Sequence, residues 1–253
     1  MSNGVTDFSR LELNLQNCLG NYRYFRSKLR RTTKLLVLVK ANAYGHGAVE
    51  FALMLDEMSG GGCLPILVLT AGTDYFDEII DNRLEPGIPN IYTLKALVAT
   101  LQSRGIEGFP IHIKLDTGMH RLGFMTSELD ELIEYLRTHS EVKVKSVYSH
   151  LAVAEDPSMD QFTLGQISMF ESNAARIDEA LGYHPMWHIL NSAGIERFPR
   201  FQHDMVRLGV GIYGISALPD VRLKPVASLK VKILQIKELK PEDGAIGYGV
   251  LRS

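Results

Sequence analysis

The chain has 253 residues, of which 45% are hydrophobic and 22% are charged, enough for one large core in a single domain. Its formal net charge is -2, with 27 basic against 29 acidic residues, so the charge gives no reason to expect a nucleic-acid partner. Two distant cysteines, no signal peptide, no bilayer-length apolar run and scattered histidines predict a cytoplasmic protein with no membrane partner and no metal site.

Short apolar runs alternate with longer amphipathic stretches along the chain. The apolar runs predict strands at residues 35–40, 65–70, 90–92, 111–115, 144–150, 187–190 and 205–213. The helical patterns between them lie at residues 49–58, 75–81, 94–104, 127–138 and 159–181. This alternation predicts an α/β fold in which a parallel sheet is covered by helices. Periodicity by itself does not separate a doubly wound sheet from a closed barrel.

The first predicted strand ends at a lysine, Lys40, which opens the glycine-containing stretch 40–47. In α/β folds the carboxyl ends of parallel strands face the site. A lysine held there against apolar neighbours has its ammonium form disfavoured, and its amine can then form a Schiff base. A lone lysine at a strand end more often extends into solvent, so the neighbouring motifs have to decide.

Two short motifs are rejected. Residues 209–214 satisfy Gly-x-Gly-x-x-Gly, but no helical pattern and no ribose-binding acid follow them, so they do not predict a dinucleotide site. Residues 116–118 match the Asp-Thr-Gly triplet of aspartic proteases, but that chemistry needs two carboxylates and the chain has one copy.

Five blocks, in the same order along the chain, resemble signatures of the alanine racemase family. They are KANAYGHG (40–47), IKLDTGMHRLG (113–123), SHLA (149–152), LNSA (190–193) and MVRLGVGIYG (205–214). The resemblance implies an eight-stranded, TIM-like β/α barrel followed by a β domain. It also implies pyridoxal 5'-phosphate as the cofactor, interconversion of L- and D-alanine for cell-wall precursor synthesis, and a homodimer for the complete family member.

The resemblance assigns the cofactor-binding residues. Lys40 would carry the cofactor as a Schiff base and, once freed by substrate, act as the base on one face. Tyr44, Ser192 and the backbone amides at Gly209 and Val210 would hold the phosphate. Taken alone, Ser192 would more often be a helix cap.

Further site residues follow from the same blocks. Arg207 matches the arginine that faces the pyridine nitrogen, where a guanidinium cannot readily accept a proton, which favours two-base racemisation over side reactions. Arg121 would bind the phenolic oxygen, and Lys114 matches a lysine that is carbamylated in several members. His150 would partner the family's second catalytic base, a tyrosine, although alone it would more often be a core residue. Asn191 would support the residues that bind the cofactor.

The chain departs from the family pattern in two places. A glycine-rich bridge at 59–63 stands where the family has a further strand and helix, so the barrel is expected to lack one β/α unit and to have seven strands or an open seam. The chain stops at residue 253, so we expect a barrel at 1–222 and only the first strand or strands of the β domain at 223–253, where residues 224–239 alternate apolar and polar. The tyrosine belongs to the absent part, and slow turnover is expected from this chain alone.

Two alternatives to alanine racemisation remain open at this point. One is a barrel that binds pyridoxal phosphate without turnover, as a carrier or a remnant, and the other is a racemase of a different amino acid. Residues 5–13 also resemble racemases fused behind a muramoyl-peptide ligase.

Overall fold

The computed structural model describes residues 9–58, 61, 64–240 and 243–244. Its strands are β1 (Ser9–Leu13), β2 (Lys34–Val37), β3 (Leu67–Val68), β4 (Glu85–Ile88), β5 (Phe109–Lys114), β6 (Val142–Tyr148), β7 (Met186–His188), β8 (Met205–Leu208) and β9 (Ala227–Val231). Its helical segments are α1 (Leu15–Ser27), α2 (Lys40–Gly45), α3 (Ala48–Met58), α4 (Phe76–Asp81), α5 (Ile91–Ser103), α6 (Leu129–Thr138), α7 (Asp160–Leu181) and α8 (Ser192–Arg197).

The chain divides into two units by its internal contacts. The larger unit comprises residues 14–226, and the smaller one combines residues 1–13 with 227–253. In the smaller unit β1 pairs antiparallel with β9, in a register that places Leu11 opposite Leu229. The predicted division into residues 1–222 and 223–253 differs from this one, because residues 1–13 group with residues 227–253, and two domains stay a prediction.

The larger unit is an α/β barrel built from parallel strands. Strands β3 to β7 form one sheet in chain order, and β8 pairs with β2. The Arg207 amide donates to the Leu190 carbonyl at 3.0 Å, which links β8 to the segment that follows β7. Within the described residues this gives seven parallel strands, β2 to β8, in agreement with the expected loss of one β/α unit.

The barrel has its seam between β2 and β3. No backbone hydrogen bond joins these two strands among the described residues. Both strands are half-buried, whereas β4 is fully buried, and Ile66 beside β3 and Leu53 of α3 keep 56% and 61% of their surface exposed. Of the glycine-rich bridge 59–63, only Gly61 lies within the described residues.

The core lies between the barrel strands and the helices that cover them. A leucine or isoleucine that is fully buried contributes roughly 1.5–3 kcal/mol of hydrophobic stabilisation. The fully buried residues on β5, α5 and α6 include Ile111, Ile113, Leu97, Leu101, Leu129 and Leu132. None of the helices in the described part of the chain combines the length and apolar character needed to cross a bilayer.

One predicted strand is wrong. Residues 90–92 are not a strand, because Asn90 caps α5 by accepting a hydrogen bond from the Thr93 amide at 2.8 Å. The strand lies earlier, at Glu85–Ile88, and contains a proline and a glycine that local propensity disfavours. Gly87 is required there because a Cβ atom would lie 2.5 Å from the Tyr148 hydroxyl. Helical segments α1, α2 and α8 have no counterpart among the predicted helices.

Candidate active site

Lys40 lies beyond the end of β2, at the start of a left-handed turn. Residues Ala41 to Tyr44 all have positive φ, between 51° and 56°, a conformation that costs roughly 1–2 kcal/mol per residue for L-amino acids. The Ala43 amide donates to the Val39 carbonyl at 2.9 Å within this turn. Lys40 is exposed, which corrects the expectation of a lysine packed against apolar neighbours at a strand end.

The same turn brings Tyr44 against an aromatic residue that the sequence analysis did not single out. The ring of Tyr213 lies 5.0 Å from the ring of Tyr44 and stacks on His46, also at 5.0 Å between centroids. The Tyr213 hydroxyl donates to the Leu38 carbonyl at 3.1 Å, which ties the segment after β8 to the end of β2. The stack fixes the position of the Tyr44 side chain.

The predicted phosphate-binding groups converge on Ser192. Its hydroxyl accepts hydrogen bonds from the amides of Gly209 at 3.0 Å and Gly211 at 3.1 Å. Gly209 has no side chain where a Cβ atom would lie 2.9 Å from the Tyr44 hydroxyl and 3.9 Å from the Ser192 hydroxyl. The second amide on Ser192 is that of Gly211, and phosphate binding by the Val210 amide stays a prediction. Two hydroxyls and two amides thus meet after β8.

Asn191 is the cap of the adjoining helix. Its side-chain oxygen accepts from the Gly194 amide at 2.9 Å, and its side-chain nitrogen donates to the Leu151 carbonyl at 3.3 Å. The interpretation of Ser192 as a plain helix cap is therefore wrong. Asn191 instead fixes the first turn of α8, in which the Ser192 hydroxyl is held.

Arg207 is buried inside the barrel with only 2% of its surface exposed. One terminal nitrogen donates to His188 Nδ1 at 2.9 Å, and the other lies 3.0 Å from His150 Nδ1. The remaining contacts of the two terminal nitrogens are with backbone carbonyls of His188, Ser149 and Ile189. Neither histidine was expected to contact Arg207, and His188 was not among the predicted site residues. Its place on the predicted strand 187–190, next in chain order before the strand of Arg207, could have indicated it.

Several cations act on His150 from different elements. Burial, and after it the charges of Arg207, Lys114, Arg121 and Lys40, lowers the pKa of His150 to about 3. The four predicted cationic residues therefore all act on the predicted histidine. His150 is neutral at physiological pH, and the region around it carries a positive potential.

The loop after β5 carries two of these cations. Lys114 is buried, and burial followed by the charges of Arg121 and Arg207 lowers its pKa to about 8. Asp116 accepts from the amides of Gly118 at 2.9 Å and His120 at 3.0 Å, which shapes the turn that presents Arg121. Arg121 itself is exposed. An open cavity of about 580 Å³ is lined by residues of this loop, among them Asp116 and His120, and by Phe162, and none of the predicted site residues lines it.

A comparison with protein families gives a match that agrees with this geometry. The model of the alanine racemase N-terminal domain matches residues 13–64 and 58–217. The break between the two matched segments falls in the glycine-rich bridge, where one β/α unit is missing from the barrel. The predicted ligase fusion stays a prediction, and residues 5–8 of the stretch that suggested it lie outside the described residues.

Curated relatives and solved structures point to the same family. The chain is 34% identical to the alanine racemase of Sorangium cellulosum and 30% identical to that of Synechocystis, covering 95% and 94% of this chain and 70% of each relative. An alanine racemase structure from Clostridium difficile superimposes with a TM-score of 0.83 at 30% identity, covering 97% of this chain and 70% of that one. A Bartonella henselae alanine racemase described with covalently bound pyridoxal phosphate shares the fold, with a TM-score of 0.77 at 24% identity over 90% and 67% of the two chains. This chain belongs to the alanine racemase family.

Proposed function

We propose that this chain interconverts L- and D-alanine with pyridoxal 5'-phosphate attached to Lys40, at the carboxyl ends of the barrel strands. Family membership supports the reaction and the cofactor. One observation carries the assignment of the site. Arg207 and His150 are in contact, and Lys114, Arg121 and Lys40 add their charges to the same place.

The groups around Ser192 fit the phosphate of this cofactor. Phosphate oxygens are strong acceptors and are bound in proteins by hydroxyls and backbone amides. Tyr44 and Ser192 supply hydroxyls, and the amide of Gly209 lies beside them. The missing side chain at Gly209 leaves the space that a phosphate would need, and an added Cβ atom would fill it.

The charge of the site also fits an anionic ligand. Both the phosphate of the cofactor and the carboxylate of alanine are negative, and the positive potential that lowers the pKa of His150 attracts both. Lys114 has a pKa of about 8, so a fraction of it is a neutral amine at physiological pH. That fraction is the form that reacts with carbon dioxide, and we propose Lys114 as a carbamylated lysine that holds Arg121.

Arg207 would bind the pyridine nitrogen. Its terminal nitrogens contact His188, His150 and backbone carbonyls. Among the described contacts none uses the Nε–H group, which is the donor that would face the pyridine nitrogen. Burial lowers the pKa of Arg207 only to about 10, so it donates a hydrogen bond and keeps its proton. The bound cofactor supplies a conjugated ring that takes up the electron pair left when the α-proton of alanine departs.

Lys40 would move that proton on one face of the substrate. Its exposed amine stands at the start of the left-handed turn, and its Nζ lies 5.7 Å from the centre of the Tyr44 ring. Positioned proton transfer of this kind is worth about 10²- to 10⁴-fold in rate. We assign the described residues a base for this face only, and the tyrosine expected on the other face stays a prediction.

The finer expectations on partners and location also belong to this proposal. We propose a homodimer as the working form and the cytoplasm as its location, as the sequence analysis expected. Alanine as the substrate is consistent with the curated relatives.

The proposal is tested by loading the purified chain with pyridoxal 5'-phosphate and following visible absorbance and D-alanine formation from L-alanine. We expect a visible band that saturates with one cofactor per chain, and D-alanine above a cofactor-free control. The same assay with serine and with lysine tests the alternative of a racemase of another amino acid, which would racemise one of them faster than alanine. A saturating band without any racemised product would favour the carrier alternative.

A further inference from the structure

A chain of five polar side chains crosses the inside of the barrel and ends on Arg207. We call this chain, from Glu85 to Arg207, the relay. Glu85 contacts His112, His112 contacts Ser146, Ser146 contacts His188, and His188 contacts Arg207, with donor–acceptor distances of 2.9, 2.6, 2.9 and 2.9 Å. The five residues come from the five neighbouring strands β4 to β8, and none is more than 8% exposed. The insides of such barrels are usually filled by branched apolar residues.

We propose that Glu85, His112 and Ser146 are positioning residues, which act through His188 to hold Arg207 as a hydrogen-bond donor toward the cofactor site. This inference rests on the proposed function for its effect on catalysis, but not for the direction of the hydrogen bonds. Those bonds follow from the chemistry of the two ends.

The two ends of the relay fix the direction of every hydrogen bond in it. A guanidinium only donates, so His188 Nδ1 must accept, and a neutral His188 then carries its proton on Nε2 and donates to Ser146. Burial lowers the pKa of His188 well below its usual value, which keeps the ring neutral. At the other end, hydrogen bonding by His112 and Lys145 lowers the pKa of Glu85, so the carboxylate accepts from His112 Nε2.

The middle of the relay then has one arrangement that satisfies every group. With its proton on Nε2, His112 presents a lone pair on Nδ1, and the Ser146 hydroxyl donates to it. A cationic His112 would donate to Ser146 from one side while His188 donates from the other. The Ser146 hydrogen would then have no acceptor among the described contacts, and an unmet buried donor costs about 1–3 kcal/mol.

A bulge in β6 makes the arrangement possible. The pairing of β5 with β6 shifts between Ile111, opposite Val144, and His112, opposite Ser146, so that Lys145 is the extra residue. Bulges re-aim side chains and are common beside active sites. Here the bulge lets Lys145 donate to Glu85 at 2.6 Å while Ser146 faces the two histidines. The ring of Tyr148 stacks on His188 at 5.0 Å and 6° and holds its plane.

A role in stability does not account for the relay. Buried ionic networks are often no more stabilising than apolar residues of the same volume, so their presence is weak evidence of a stabilising role. A fully satisfied network does fix the position of its members, because each hydrogen bond in it has one direction. The member that reaches the site is Arg207, and its orientation is what the relay controls.

The direct test is nitrogen NMR of the cofactor-free chain labelled with ¹⁵N-histidine. We expect both His188 and His112 to be neutral with the proton on Nε2, and the His188 Nε2 proton to exchange slowly. In Ser146→Ala that proton should exchange at least about tenfold faster because it has lost its acceptor. Ser146→Thr, which keeps a hydroxyl, should restore slow exchange, and His184 reports that each variant is folded.

The second arm uses the loaded enzyme. We expect Ser146→Ala to lower kcat for alanine about tenfold, equivalent to about 1.4 kcal/mol, with KM nearly unchanged and Lys40 still labelled by the cofactor. Ser146→Thr should recover most of the loss. Thr163→Val, which removes a buried hydroxyl of α7 outside the relay, is the matched control and should leave exchange and kcat at wild-type values.

The outcomes separate the two proposals. A proton on Nδ1 of His188 in the wild type, or a Ser146→Ala variant with wild-type exchange and kcat, overturns the relay. The expected NMR result in a wild-type chain that does not racemise alanine supports the relay and contradicts the proposed function instead.

Discussion

Arg207 and His150 are in direct contact, with 3.0 Å between a terminal guanidinium nitrogen and His150 Nδ1. Because the guanidinium can only donate, this nitrogen of the imidazole carries a lone pair and the proton sits on Nε2. The contact defines both the charge and the tautomer of His150. The ring signals of His150 therefore report whether Arg207 is in contact with it.

We expect His150 to stay neutral throughout the pH range in which the enzyme works. Its pKa is lowered to about 3, first by burial and then by the charge of Arg207. In a ¹H–¹⁵N titration between pH 5 and 9 its ring signals should not shift, whereas those of His184, whose pKa is raised by Asp178, should. An inflection of the His150 signals near pH 6.5 would contradict the geometry of this contact.

Lys40 should be the lysine that carries the cofactor. After loading with pyridoxal 5'-phosphate and reduction with borohydride, the peptide with residue 40 should gain the mass of the pyridoxyl group. Lys40→Ala should lose the label, and Lys34→Ala, an exposed lysine on β2, is the control that should keep it. Labelling of another lysine at equal yield would remove Lys40 from the site.

Ser192 should contribute to phosphate affinity in particular. A hydrogen bond to a charged group is worth about 1.5–3 kcal/mol, so Ser192→Ala should weaken binding of pyridoxal 5'-phosphate by about 10- to 150-fold. Binding of pyridoxal, which lacks the phosphate, should change by less than about threefold because it makes no such contact. Equal losses for both ligands in absorbance titrations would show that Ser192 acts through the fold.

His184 should stabilise the protein at low pH and lose this effect as pH rises. Hydrogen bonding by Asp178, and then by Asp204, raises its pKa, so the folded chain binds its proton more tightly than the unfolded one. The contribution is present below the unfolded value of about 6.5 and disappears as pH passes the raised folded value. The side chain is 55% exposed, so we expect less than about 1 kcal/mol.

This effect is isolated by comparing the wild type with His184→Gln in urea unfolding at pH 5.5 and 8.5. The difference in free energy of unfolding should shrink at the higher pH. The buried His150 and His188, whose pKa values are lowered, act in the opposite direction but in both proteins alike, so they cancel. A difference that grows with pH would contradict the assignment.

The seam should be the most weakly protected part of the barrel sheet. Among the described residues β3 pairs only with β4, through two residue pairs, while β5 has partners on both sides. Because local opening needs few hydrogen bonds to break there, amides of Leu67–Val68 should exchange with deuterium well before those of Phe109–Lys114. Equal protection of peptides from these two strands would mean that the seam is closed in solution.

The sequence by itself determined the chemistry of this protein. Its five motif blocks predicted the family, the cofactor and the site residues, and the alternation of apolar and amphipathic runs predicted the α/β class, because these signals depend only on residue types and their spacing. The missing β/α unit was predicted by comparing the glycine-rich bridge with the pattern of the family, which has a further strand and helix there. The residue that caps α8, by contrast, could not be chosen from the sequence, since Asn191 and Ser192 are neighbours that can both cap a helix and only their φ and ψ angles separate them.

Only the tertiary structure decided how the site is held. Lys40 is exposed on a left-handed turn, which no propensity of its residues indicates. Glu85 belongs to a strand that contains a proline and a glycine, which have low strand propensity. The sequence therefore did not predict its place in the barrel. The relay from Glu85 to Arg207 joins residues that are far apart in sequence and depends on register and on one bulge, which are properties of strand pairing and not of any single segment.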